Sequence, residues 1–424
     1  MKRIVLAAGL SVLALSAAAC SSGSSGSSSS SPPAGSSTAP ASSGALGKPS
    51  VAASGKPLTI FYFDEEGASA AASSPESFQA ATAAVEYVNK NLGGVKGRPL
   101  QLIHCASLGT PASATTCANQ AVDSKPDVVI KGVDVAGGSA VPIVTAAGLP
   151  YVTLNAGDPD EVNHSLAFSL TAGFAAQFAP VAPYAKSKGY KSVGVIFTNV
   201  SPLSTPLDGP FATLLKKDGI AYVPSPVNIT AADLTPAYDA LLAKHVGAIL
   251  VVATEAQCAA ALQARNSLND TTPLFMSSSC NVGSVLGTVP ASATSGTIFE
   301  LLDTSAVASD ADTKTYLKVM KAYAPTANIG SFAPSGFESI MDFYRAMLTA
   351  PDPRTLNAAS VASTLKSAQN VPLFMGGGQA FSCGKSFFAG ESSVCTGAAF
   401  LVQWAGGGYK LMSGYDSSKL LAGI

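Results

Sequence analysis

The folded part of the chain begins with an apolar run followed by an amphipathic segment. Residues 58–63 are almost all β-branched or aromatic and predict a buried strand. Ser74 and Pro75 suit the start of a helix, and Gly93-Gly94 suits its end. Between these signals, apolar residues recur at helical spacing on one face, at Phe78, Ala81, Val85, Val88 and Leu92.

The same alternation of strand and helix continues to the C-terminus and restarts near residue 174. Further strands are predicted at 100–104, 127–130, 151–154, 192–197, 221–223, 248–253 and 273–276, with two more near Ala380 and Phe400. Helices are predicted at 112–122, 139–147, 174–187, 234–244, 256–266, 313–323 and 337–348. This order favours an α/β fold with parallel sheets covered on both faces. The chain is too long for one comfortable core, so we expect two lobes.

The N-terminus has the three parts of an export signal. Lys2 and Arg3 precede an apolar, small-residue run over 4–19 that ends at Cys20, and the run is too short for a membrane span. Its end resembles the lipobox of bacterial lipoproteins, which implies cleavage after residue 19 and lipid attachment to Cys20. An ordinary signal peptide with Cys20 as a stray thiol is the alternative.

Residues 21–56 consist mainly of Ser, Gly, Pro and Ala. Such a segment cannot bury enough apolar surface to offset its ordering entropy, so we expect a disordered tether. The protein would then stand off the outer face of the cytoplasmic membrane on its lipidated cysteine.

The remaining six of the seven cysteines fall into sequence-local pairs. Six cysteines allow about 15 connectivities, and we favour neighbours because their loops are short: Cys105 with Cys117, Cys258 with Cys280, and Cys383 with Cys395. Disulfides fit an oxidising compartment. Metal binding by these cysteines is the less favoured alternative, because the chain has no Cys-x-x-Cys and three histidines.

Charge and motifs exclude several function classes. With 25 basic and 26 acidic residues and no basic stripe, nucleic acid is not an expected partner. No familiar nucleophile, zinc-protease or dinucleotide motif is present, so we expect a protein that is not an enzyme and uses no cofactor or metal. A hydrolase with an unrecognised serine remains the alternative from another class.

Polar residues cluster directly after the predicted strands. Open α/β sheets bind ligands beyond the carboxyl ends of their strands, although a solvated turn or helix cap is the commoner role for any one such residue. The loops are 64–67, 134–139, 155–157, 198–201, 254–255 and 277–279.

The segment 83–100, AAVEYVNKNLGGVKGRPL, resembles the first helix and second strand of type I periplasmic binding proteins, specifically the branched-chain amino-acid type that serves ABC transporters. The paired Cys105 and Cys117, the segment 148–152 and the later segment 335–338 fit the same pattern. The resemblance implies two Rossmann-like lobes joined by three crossovers. Lobe one would comprise 57–172 plus 302–375, and lobe two 173–301 plus 376–424.

The resemblance also implies a set of ligand contacts between the lobes. Together with Asp134 from the polar loops, the candidate ligand-binding residues are Asp64, Glu65, Asp134, Val135, Ala136, Gly137, Asn155, Ala156, Asn199, Ser201, Glu255, Ser277 and Ser278. The carboxylates among them favour an amine-bearing solute.

A branched-chain amino acid itself is not favoured. Amino-acid binders of the family commonly have a Ser/Thr-rich loop where this chain has Asn155-Ala-Gly157. The expected function is therefore a monomeric binding lipoprotein that delivers a small polar solute to ABC permease subunits by hinge closure. A receptor of the same fold that signals to a partner protein is the main alternative.

Overall fold

The computed structural model describes residues 46–49, 51–66, 73–307 and 309–424. The predicted signal segment 1–19, Cys20, residues 21–45 of the predicted tether and Gly67 lie outside the described residues. Within the described ranges, no helix is both long enough and apolar enough to cross a membrane.

Fourteen strands are described, and they form two large sheets and one small one. The strands are β1 (Leu58–Glu65), β2 (Leu100–Ser107), β3 (Val128–Lys131), β4 (Tyr151–Thr153), β5 (Ala167–Ser169), β6 (Ser192–Thr198), β7 (Ala221–Val227), β8 (Ala248–Val252), β9 (Leu274–Ser277), β10 (Ile298–Leu301), β11 (Val371–Pro372), β12 (Ala380–Phe381), β13 (Ala398–Trp404) and β14 (Tyr409–Asp416).

The first sheet is parallel throughout, in the order β2-β1-β3-β4-β5. The second has the order β14-β13-β10-β9-β8-β6-β7, and β11 pairs with β12 alone. The central strands of the second sheet are parallel, as predicted, and β13 runs antiparallel to both β10 and β14 at one side of the sheet. A short glycine-rich turn at 405–408 joins β13 to β14, and a connection that short can only join antiparallel strands.

Helices cover both sheets. They are α1 (Pro75–Tyr87), α2 (Pro111–Ser124), α3 (Val141–Ala146), α4 (Pro159–Val162), α5 (Gly173–Gln177), α6 (Val181–Ser187), α7 (Ser201–Pro206), α8 (Ala212–Lys217), α9 (Thr235–Leu242), α10 (Glu255–Ser267), α11 (Gly283–Leu286), α12 (Ala291–Thr294), α13 (Ala311–Tyr323), α14 (Ala333–Met347), α15 (Ala358–Ser367) and α16 (Ser417–Leu420). Shorter 3₁₀ turns lie at Gly137–Ala140, Ser278–Cys280 and Pro353–Thr355, and π-helical turns at Val88–Leu92 and Leu207–Phe211.

The strand β1 shows why the apolar run in the sequence is continuous. Ile60 and Tyr62 pack into the core that contains α1 and α14, whereas Phe61 and Phe63 pack on the opposite face, against α2 and α3. Successive side chains of a strand point to opposite faces. A strand buried on both faces therefore needs apolar residues at consecutive positions.

The chain passes between the two sheets three times. It fills the first sheet with β1–β5 and the second with β6–β10, after which α13 and α14 return to pack against α1 before β13 rejoins the second sheet. The contact between α1 and α14 is close because Gly336 lies against the carbonyl oxygen of Ser77, where any Cβ would collide.

Two local predictions need correction. The helix predicted at 174–187 is two helices, α5 and α6, separated before Pro180, since proline disfavours helical geometry in the preceding residue. Ser74 precedes α1 but its side chain does not cap the helix; its hydroxyl instead donates to the carbonyl oxygen of Glu65.

The ordered chain also begins earlier than the predicted boundary at residue 57. The N–H of Ser54 donates to the carbonyl oxygen of Gly97 at 2.9 Å, and the Asn91 side chain donates to that of Gly47 at 2.6 Å. Arg98, which is buried, donates to three backbone carbonyls, including that of Leu356 at 2.7 Å. Backbone hydrogen bonds therefore order the end of a segment that composition alone predicts to be disordered.

All three predicted cysteine pairings are confirmed. The disulfide Cys105–Cys117 joins β2 to α2, and Cys258–Cys280 joins α10 to the turn after β9. Cys383–Cys395 links the two ends of the loop that connects β12 to β13.

Candidate functional site

A cleft lies where the carboxyl ends of strands from the two large sheets face each other. The first sheet contributes residues at the ends of β3 and β4, and the second contributes residues at the ends of β6, β8 and β9. The lining is completed by α5, by α7, by Ile229 and by Phe332. The full set is Lys131, Val133, Asp134, Val135, Asn155, Phe174, Gln177, Phe178, Thr198, Val200, Pro202, Leu203, Ile229, Val252, Ala253, Thr254, Ser277, Ser278, Ser279 and Phe332.

A buried ion pair lies at the first-sheet side of the cleft. The Nζ atom of Lys131 lies 2.5 Å from Oε1 of Glu161, and these side chains are only 3% and 0% exposed. Glu161 also accepts hydrogen bonds from the Tyr151 hydroxyl at 2.8 Å and the Gly157 N–H at 3.1 Å. Lys131 donates in addition to the carbonyl oxygen of Asn155 at 3.2 Å. The lysine is thus held rigidly with its charge compensated.

Asp134 is the second charged side chain of the cleft. It is 5% exposed, and its Oδ1 accepts a hydrogen bond from the N–H of Ala136 at 2.7 Å. Its Oδ2 is buried and lies within normal hydrogen-bond distance of no donor among the described residues, although the Ser107 hydroxyl is near enough to lower the pKa of Asp134. Burial raises the pKa of Asp134 above its ordinary value. A donor on a bound solute would satisfy this oxygen.

Hydroxyl groups dominate the second-sheet side. The hydroxyls of Ser277 and Ser279 lie 2.8 Å apart, and Ser279 donates to the carbonyl oxygen of Ala253 at 2.7 Å. Thr198 donates to the side-chain oxygen of Gln257 at 2.6 Å. The disulfide at Cys280 fixes the serine turn to α10. These groups form a neutral, pre-organised polar wall.

The rest of the lining is apolar. Phe174 and Phe178 lie one turn apart with parallel rings whose centroids are separated by 6.5 Å. Further apolar side chains come from both sheets and their following loops, including Val135, Leu203 and Ile229. A bound solute would therefore meet a mostly apolar surface with a few placed polar groups, as is usual for small-molecule sites.

A second, more polar cavity adjoins the cleft and shares Asn155 and Ser278 with it. It lies where the chain leaves β10, and Asp303 and Tyr316 contribute to its wall. Burial raises the pKa of Asp303. The two adjoining cavities together form one elongated space between the sheets. The central cleft is its apolar part, and the second cavity is its polar part.

Five of the thirteen predicted ligand-binding residues line the central cleft: Asp134, Val135, Asn155, Ser277 and Ser278. Ala136 and Ser201 lie with Val135 at a separate shallow cavity, and Ala156 lies at another. Gly137 is buried, and its carbonyl oxygen lies 3.2 Å from the hydroxyl oxygen of Tyr151. Asn199 is exposed, and Glu255 is the half-buried first residue of α10.

Asp64 and Glu65 are placed differently from the expectation that they belong to a ligand-contacting loop. Both lie within β1 and are completely buried. Oδ1 of Asp64 lies 3.0 Å from Nε2 of His104, and burial raises the pKa of Asp64 to about 6. Oε2 of Glu65 accepts from the N–H of Val135 at 3.4 Å.

Sequence reasoning missed Lys131 and the aromatic pair of α5. A lysine that directly follows three apolar strand residues was one available signal, because a charge at the end of a buried strand needs a partner. The i, i+4 spacing of Phe174 and Phe178 was another, but it is also the spacing of ordinary core residues.

Comparisons with known proteins agree with this architecture. A family model described as "Periplasmic binding protein" matches residues 61–408. No curated protein matches the chain significantly.

Several solved structures share the fold at low sequence identity. A fatty acid ABC transporter substrate-binding protein from Thermomonospora curvata has a TM-score of 0.72 at 16% identity, covering 89% of this chain and 96% of its own. A leucine-binding protein from Thermotoga maritima has a TM-score of 0.67 at 16% identity, with coverages of 85% and 99%. A branched-chain amino acid transporter substrate-binding protein from Streptococcus pneumoniae, in complex with isoleucine, has a TM-score of 0.65 at 19% identity, with coverages of 85% and 99%.

Proposed function

Because the chain belongs to the periplasmic binding protein family, we propose that it is an extracytoplasmic solute-binding lipoprotein that delivers its solute to an ABC importer. It captures the solute as a monomer and performs no chemistry on it. The observation that carries this proposal is the cleft between the carboxyl ends of the strands of two sheets.

Capture proceeds by closure of two lobes about the three chain crossings. The lobes comprise 57–172 plus 302–375 and 173–301 plus 376–424. Two cleft walls that belong to different sheets can separate without breaking a sheet, and short crossing segments are suited to absorb the rotation. Residues on both walls then contact one solute.

The solute carries an amine and an apolar body. Asp134 offers a buried carboxylate oxygen that lacks a donor, whereas the charge of Lys131 is already compensated by Glu161. The aromatic and aliphatic wall favours a solute with an apolar body. Leucine, fatty acid and isoleucine, the ligands named for three similar structures, each have such a body.

A solute screen tests the binding proposal. Thermal shift and calorimetry with matched amine-bearing, neutral and anionic solutes should give saturable binding only for the first class. A solute at about 100 times its dissociation constant should stabilise the protein by about 2.7 kcal/mol. If only anionic or neutral solutes stabilise the protein, the proposal that the solute carries an amine is refuted.

Variants locate the contact. Asp134→Asn should weaken binding of the amine-bearing solute by at least tenfold, because an amide offers no charge. Asp239→Asn makes the same charge change at an exposed position of α9 and should leave affinity unchanged. Equal affinities of the two variants would show that Asp134 does not hold the amine.

The lipid anchor at Cys20 is proposed from the sequence of the N-terminal region. Expression of the full chain in a bacterial host with labelled palmitate should give a labelled protein in the membrane fraction. Cys20→Ala should lose the label and leave the membrane, since the acyl chains supply the anchoring energy. An unlabelled wild-type protein released as freely as the variant would show an ordinary signal peptide instead.

A further inference from the structure

A cluster of one histidine and two carboxylates lies outside the solute cleft, at the edge of the first sheet. Asp64 is the penultimate residue of β1 and Glu66 follows that strand, while His104 lies on the neighbouring β2, opposite Tyr62. Because side chains alternate along a strand, Asp64, Glu66 and His104 project from the same face of the sheet, toward α1.

The imidazole is oriented by packing. The His104 ring stacks on Phe78 of α1 with a centroid distance of 3.6 Å and an angle of 5° between the rings. This stacking directs Nε2 toward the carboxylates, at 3.0 Å from Oδ1 of Asp64 and 3.5 Å from Oε1 of Glu66. One potential ligand atom from each of the three side chains lies within 4.8 Å of the others.

The cluster is incompletely satisfied without a further positive charge. Asp64 is 0% exposed, and its second oxygen makes no hydrogen bond in the described part of the chain. A single imidazolium would neutralise only one of the two carboxylates. A buried carboxylate oxygen without a donor is costly, and a bound cation would remove that cost.

From this geometry we infer that Asp64, Glu66 and His104 form a site for a divalent transition-metal ion, with Zn²⁺ as the ion that fits best. Zn²⁺ binds imidazole nitrogen and carboxylate oxygen at roughly 2.0–2.2 Å in tetrahedral geometry, which places neighbouring ligand atoms about 3.4 Å apart. The distances of 3.0 and 3.5 Å from the imidazole nitrogen agree with that spacing. Mg²⁺ and Ca²⁺ prefer sites made wholly of oxygen.

The three side chains leave the fourth coordination position to water. His104 and Glu66 are 23% and 22% exposed, so an ion can enter without unfolding the sheet edge. The site is separate from the solute cleft, and its occupancy does not depend on the proposed transport function.

Calorimetric titration of the untagged, metal-stripped protein with ZnCl₂ tests the inference. We expect one equivalent bound with micromolar or tighter affinity, reversed by EDTA. Glu66→Gln and His104→Gln should each weaken binding at least tenfold while the circular dichroism spectrum stays native. His245→Ala removes an exposed histidine elsewhere and should bind as the wild type does.

Two results would overturn the inference. One is the absence of saturable Zn²⁺ binding to the wild-type protein at concentrations on the order of 1 mM. The other is binding that survives in both natively folded cluster variants, which would place the ion elsewhere. Glu66 is partly exposed, so its variant keeps the test valid even if His104→Gln does not fold.

Discussion

Replacing Glu161 by glutamine should strongly destabilise the protein, because it removes the carboxylate in direct contact with the buried Lys131 ammonium and leaves only the more distant Asp134 and Asp158 as counter-charges. The pair is 2.5 Å apart and the side chains are 3% and 0% exposed, so water cannot take over the role of the carboxylate. Removing one partner of a buried pair typically costs about 3–5 kcal/mol. The glutamine oxygen can accept from only one of the two donors, Tyr151 or Gly157, because these bind different oxygens of Glu161. The loss therefore reports the charge together with one hydrogen bond.

The double variant Lys131→Met, Glu161→Gln separates the charge effect from packing. Replacing both charges of a buried pair by uncharged groups of similar volume removes the uncompensated charge that makes the single variant costly, so the double variant should recover most of the stability lost in the single variant. The exposed pair of Lys186 and Asp218 provides the control: with the lysine 62% exposed, Asp218→Asn should cost less than about 1 kcal/mol.

Urea unfolding followed by circular dichroism, without solute, measures these differences as shifts of the midpoint at constant slope. A loss for Glu161→Gln as small as that for Asp218→Asn would refute the reasoning, because the Lys131 ammonium would then be adequately stabilised without Glu161. If the double variant is no more stable than the single variant, the stability lost in Glu161→Gln comes instead from the hydrogen bonds of Glu161.

Three further predictions concern packing, a disulfide and pH. Gly336→Ala should destabilise the protein in urea, because the new methyl group collides with the Ser77 carbonyl between α1 and α14; unchanged stability would show that the helices can separate freely. Removing Cys258 and Cys280 together should lower the free energy of unfolding by about 3 kcal/mol and also weaken solute binding. Removing the bridge between β2 and α2 should lower stability alone. Equal solute affinities of the two variants would contradict the assigned role of the serine turn. Burial raises the pKa of Glu391 from 4.5 to about 7, so its contribution to stability is complete below pH 4.5 and is lost as pH rises through 7. Glu391→Gln should therefore lose less stability than the wild type between pH 5 and pH 8, and equal losses would contradict the raised pKa.

Much of the element order could be predicted because it depends on local periodicity. The apolar run of β1 and the amphipathic pattern of α1 lie close to their predicted positions. The strand β14 was missed because its residues are mostly half-buried or exposed, so they lack a strong apolar pattern. The ordered segment before residue 57 was missed because it is fixed by hydrogen bonds to Gly97 and Arg98, which composition does not report.

By itself the sequence indicated the α/β class from its periodicity and two lobes from its length, and it favoured the three cysteine pairings because their loops are short. Only the tertiary structure decided which polar residues face the cleft. Asp64 and Asp134 both occur at the end of a strand, yet Asp64 pairs with His104 at the sheet edge while Asp134 lines the cleft. Their roles diverge because side-chain direction and strand order in the sheet, and not position in the sequence, determine what each carboxylate meets.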